Sequence, residues 1–61
     1  MKSLDKITAE QTIDVMIEFE EKGLLSACNM YNEFLRRNAQ PMKSKVELMP
    51  IIKYYYIENF K

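Results

Sequence analysis

Apolar residues recur at helical spacing through the first two-thirds of the chain, and then the periodicity stops. Between Thr8 and Gly23, the residues Ile13, Val15, Met16, Ile17 and Phe19 make a broad apolar arc. Glu10, Asp14, Glu18 and Glu21 line the opposite side, so the spacing predicts an amphipathic helix. Thr8 is a suitable N-cap, and Gln11 three residues on completes a capping box. Gly23 is expected to supply a left-handed stop, with Leu24 placed for a hydrophobic contact back to Phe19. Glu20 breaks the pattern by falling within the apolar arc. It is expected to snorkel at the helix end, or to pair with Arg36 or Arg37 at an interface.

A second helix follows at once, about residues 24–38. Leu24, Ala27, Cys28, Tyr31, Phe34, Leu35 and Asn38 form one stripe, and Ser26, Asn29, Glu33, Arg36 and Arg37 take the other side. Leu25 and Met30 lie at the edges of the stripe. The two segments predict an antiparallel helical hairpin over 9–38 with a very short connection. Pro41 ends it, because the residue before a proline is pushed away from helical geometry.

The remainder carries two conflicting signals. Ser44-Lys45-Val46-Glu47 reads as another capping box, yet Pro50 lies too deep to be a first-turn residue of that helix. Either a short helix at 45–49 gives way to a new one starting at Pro50, or one helix kinks there. A strand at 51–57 is the weaker alternative: Ile and Tyr favour strands, but no other segment offers a pairing partner. Pro50 to Lys61 is apolar on every side, with Ile51, Ile52, Tyr54, Tyr55, Tyr56, Ile57 and Phe60 interrupted only by Lys53, Glu58, Asn59 and Lys61. On a helix three consecutive tyrosines point about 100° apart, so they cannot all enter one small core. Part of the segment is therefore expected to meet another chain. The fold class that follows is all-α, a single domain over 1–61 with three to four short helices: the hairpin plus a C-terminal helix packed across it.

Composition narrows the means of stabilisation. A chain of 61 residues buries only about 60% of the surface it exposes when unfolded. Cys28 is the sole cysteine and histidine is absent. That removes an intramolecular disulfide and a structural zinc site, which needs several Cys or His ligands. Packing and association remain, with no cofactor or metal expected. Lys2 leads into Ser3-Leu4-Asp5-Lys6 and not into an apolar run, so no secretory leader is expected. No stretch reaches the length of a membrane span. A free thiol without a disulfide framework fits a reducing compartment, and a cytoplasmic location is expected.

Net charge is zero but polarised. Residues 1–22 carry six carboxylates against three lysines, a balance of −3, and residues 23–61 carry six cations against three glutamates, a balance of +3. The halves can pair internally, associate head to tail between copies, or present a charged face to a partner.

Catalytic chemistry finds little support. General acid–base work most often uses histidine or a displaced carboxylate. Cys28 lies on an apolar stripe, with no basic neighbour in sequence to make it a thiolate. The carboxylates Glu10, Asp14, Glu18 and Glu21 sit on successive turns and do not converge as a calcium loop does, so a solvated helix face accounts for them. No catalytic residue is assigned.

Tyrosine supplies large contact area at low conformational-entropy cost, which makes the tyrosine run the sharpest signal of a contact surface. The expectation is a small, non-enzymatic protein-binding regulator or inhibitor that occludes a surface on a larger macromolecule. Its partner-facing residues are Tyr54, Tyr55, Ile51 and Ile57, with Arg36 and Arg37, and the chain is a candidate homodimer. Chains of this size are common among phage and mobile-element inhibitors, which is a prior from length and not a reading of residues. The alternative is a helical nucleic-acid-binding transcriptional regulator using Arg36, Arg37, Lys43 and Lys45. Against it stand the neutral overall charge and a second helix that opens on Leu24-Leu25-Ser26-Ala27-Cys28, without the basic or amide groups that read bases.

Overall fold

Three helices account for most of the chain in the computed structural model, which describes residues 2–60: α1 (Ala9–Lys22), α2 (Leu24–Arg37) and α3 (Lys45–Phe60). The capping box forms as expected. The Gln11 amide donates to Thr8 Oγ1 at 3.0 Å, and the Thr8 amide donates to Gln11 Oε1 at 3.0 Å.

The buried face of α1 is rotated from the one its apolar residues suggest. Thr12, Val15 and Met16 are buried with Phe19 beside them, while Ile13 is 41% and Ile17 is 45% exposed. Thr12 explains the rotation. Its hydroxyl donates to the Thr8 carbonyl at 2.8 Å and accepts the Leu4 amide at 2.9 Å. A hydroxyl with both functions satisfied is tolerated in a core, so Thr12 occupies the centre of the face and the two isoleucines fall on its flank.

Gly23 joins the two hairpin helices without a linker. Its amide donates to the Phe19 carbonyl at 3.0 Å, and its own carbonyl accepts from Ala27 at 3.2 Å. The expected left-handed helical stop is not what forms: φ is 104° and ψ is 179°. That combination, positive φ with extended ψ, is open to glycine alone. It turns the chain while letting one residue cap both helices.

Along α2 the stripe is as expected, with Ala27, Cys28, Tyr31, Phe34 and Leu35 buried. Asn38 closes the helix, and its Nδ2 donates to Gln11 Oε1 at 2.9 Å and to the Lys6 carbonyl at 3.2 Å. Gln11 lies at the start of α1, so the helices run back alongside each other as a hairpin. The N-terminal segment is docked on this pair through buried Leu4 and Ile7 and through Tyr31, whose hydroxyl donates to the Asp5 carbonyl at 2.7 Å.

Asn32 pins the connection to α3. Its side chain accepts the Lys43 amide at 2.9 Å and donates to the Lys43 carbonyl at 2.8 Å. Ser44 then caps α3 by accepting the Glu47 amide at 3.3 Å, while its hydroxyl donates to the Glu47 carboxylate. Residues 51–57 are helical, and Pro50 sits inside one continuous helix. The amide that proline lacks would have paired with the Val46 carbonyl. Val46 is 75% exposed, so water can take that bond and the helix passes through the proline.

Leu48, Ile52 and Tyr55 of α3 complete the core. The chain exposes 4138 Å². A compact monomer of 7.3 kDa exposes about 4,200 Å², so the three helices achieve ordinary burial on their own.

Candidate functional site

Helix α3 has no polar face. Leu48, Ile52 and Tyr55 point inward, and the residues that alternate with them by turns remain outside. Val46 is 75%, Tyr54 66% and Ile57 50% exposed, and Pro50 is exposed between them. Positions 46, 50, 54 and 57 follow helical spacing, so these four side chains form one line along the outside of the helix. Pro50, Lys53, Tyr54 and Ile57 border a shallow groove of about 220 Å³. Apolar side chains with a single ammonium among them can seat another protein's apolar side chains and pair with a carboxylate beside them.

The tyrosine run divides as helical geometry requires. Tyr54 faces out, Tyr55 enters the core at 8% exposure, and Tyr56 leans on α1. The Tyr56 ring meets Phe19 edge to face at 5.1 Å and stacks on Phe60 at 5.8 Å. Its hydroxyl donates to Glu20 at 3.0 Å, and this bond pushes the phenol pKa up, the Glu20 charge adding to it. Glu20 therefore pairs with a tyrosine and not with Arg36 or Arg37. Tyr55 leaves the set of outward-facing residues, because its position on the helix points at the hairpin. Its hydroxyl is enclosed without a hydrogen-bond partner among the described residues.

Of the other partner-facing candidates, Ile57 lies beside Tyr54 and Ile51 is half-buried at the edge of the face. Arg36 and Arg37 are elsewhere, exposed on the last turn of α2, and both hold the Glu33 carboxylate. Hydrogen bonding to Arg36 keeps that carboxyl below its ordinary range. The Arg37 guanidinium also covers the Phe34 ring at 5.7 Å. Glu33 thus offsets one of the four positive charges in 36–45. Lys43 is half-buried and Lys45 opens α3.

Val46, Pro50 and Lys53 were not among the residues expected at this surface. Their signal was present as the spacing 46, 50, 53, 57, but it becomes visible only once the helix is known to continue through the proline. Glu10, Asp14 and Glu21 are exposed on α1, and Glu18 pairs with Lys22 at 3.8 Å. No group of three metal-ligating side chains converges among the described residues. Cys28 is fully buried, and desolvation pushes its thiol up, partly offset by Lys45. No helix among the described residues is long and apolar enough to cross a membrane.

In comparisons with known proteins, no family model, no curated protein and no solved structure matches this chain.

Proposed function

We propose that the protein is a small, non-enzymatic protein-binding regulator or inhibitor. It occludes a surface on a larger macromolecule with the outer face of α3. The observation that carries this reading is the exposed line of Val46, Pro50, Tyr54 and Ile57 on a helix whose opposite side already fills the core. A helix needs one apolar face to fold onto its neighbours, and a second one is left for contact. Tyr54 has the chemistry of an interface anchor, a large ring with a polar tip. No feature of the basic group favours the nucleic-acid reading over this one.

A photo-crosslinking residue in place of Tyr54 tests the reading in cells that express the protein. It should yield a discrete adduct with a larger macromolecule, lost when Ile57→Ser is added, and the same group at Asp14 should yield none. Equal labelling from both positions, or no adduct from Tyr54, would overturn it.

A further inference from the structure

Resting on the reading of α3 as a contact helix, we propose that a second copy of the chain covers this face in the free protein, the two α3 helices lying parallel. The register follows from the heptad positions of a two-stranded coil. With Tyr54 at position a, Pro50 and Ile57 fall at d. Leu48, Met49, Ile52, Tyr55 and Tyr56 then occupy b, c and f and pack on or against the core of the monomer, as does the half-buried Ile51 at the edge of the seam. The positions a coiled pair leaves outside are the ones α1 and α2 already cover, while Pro50, Tyr54 and Ile57 point away.

The flanking residues select the occupant and its direction. Val46 and Lys53 take g positions, and Ile51 and Glu58 take e positions. In a parallel pair each g residue faces the e residue five positions later on the other helix. Val46 then meets Ile51, and Lys53 meets Glu58, each twice by symmetry. Neither Lys53 nor Glu58 makes an ion pair among the described residues of the single chain. An antiparallel pair brings each flank against its own counterpart. Lys53 would face Lys53 or Phe60 and never a carboxylate. The Lys53–Glu58 pair is therefore available in the parallel orientation alone, while the exposed Glu47, at the a position one heptad before Tyr54, meets its own copy at the start of the seam. Self-association makes the same surface available to a target only after the pair separates, so concentration regulates the binding face.

Sedimentation equilibrium of the full chain over a wide concentration range tests this. The mass should rise from 7.3 kDa toward twice that value. Either Lys53→Glu or Glu58→Lys should weaken the pair about tenfold, since two exposed attractions become repulsions, and the double charge swap should restore it. Ile57→Cys should oxidise to a disulfide-linked dimer, because a parallel symmetric pair sets residue 57 against itself. A mass fixed at the monomer value, a dimer indifferent to Lys53→Glu, or no cross-link at 57 would overturn the proposal. If the mass stays monomeric while the Tyr54 crosslinker still captures a macromolecule, only the second copy is excluded. If both experiments fail, the contact role of α3 fails with them.

Discussion

The hydroxyl of Tyr31, in the middle of α2, donates to the main-chain carbonyl of Asp5 at 2.7 Å across 26 positions of sequence. Tyr31 is 2% exposed, so this bond fastens the N-terminal segment to the hairpin from inside the core. Burial, with the Asp5 carboxylate adding to it, pushes the phenol from its ordinary 10.0 up to about 12. The folded state keeps a proton that the unfolded chain releases. The contribution is complete below pH 10 and is lost as pH rises through the folded value. Burial of Tyr55 and the Glu20 bond of Tyr56 act in the same direction. Urea unfolding at about pH 8 and about pH 11 should therefore show a lower midpoint at the higher pH. Tyr31→Phe should cost about 1 kcal/mol at neutral pH and lose less on going alkaline than the parent chain does.

Neighbouring tyrosines should respond in opposite ways. Tyr55→Ala removes a ring from the core and should cost about 3 kcal/mol or more, enough to unfold much of a domain this small. Tyr54→Ala should stay within about 0.5 kcal/mol. Tyr55→Phe is the sharper experiment. It deletes an enclosed hydroxyl that has no hydrogen-bond partner among the described residues, so thermal unfolding should show no loss and a gain of up to about 1 kcal/mol.

At Gly23 the restriction is torsional. A Cβ built there meets nothing within 4 Å, yet φ is 104°. Gly23→Ala should cost about 1–3 kcal/mol through backbone strain alone, measured by chemical denaturation. An unchanged midpoint would mean that the turn readily adopts another geometry.

Thr12 and Ile13 invert the usual hydropathy rule. Thr12→Val leaves the buried Leu4 amide without its acceptor and should cost about 1–3 kcal/mol. Ile13→Ser, on the exposed flank, should change stability by no more than about 0.5 kcal/mol. Calorimetry on the two variants separates the structural face of α1 from the apparent one.

What the sequence by itself determined is local. The capping box at Thr8, the stripe of α2, the reversal at Gly23 and the end of the hairpin near Asn38 all follow from signals within a few residues of one another. So does the conclusion that three adjacent tyrosines must diverge. Tertiary structure decided the rest. Which tyrosine entered the core depended on the rotation of α3 about its own axis, and an evenly apolar helix carries no pattern to set it. The rotation of α1 depended on Leu4 reaching Thr12, and the ordering of the first residues on Tyr31 and Asn38 reaching back to Asp5 and Lys6. Helix continuity through Pro50 removed the amide that would have bonded the Val46 carbonyl, and Val46 lies on the exposed side of the helix, where water can replace it. Apart from the rotation of α3, each decision turned on whether a polar group found a distant partner or solvent, and spacing along the chain does not encode that.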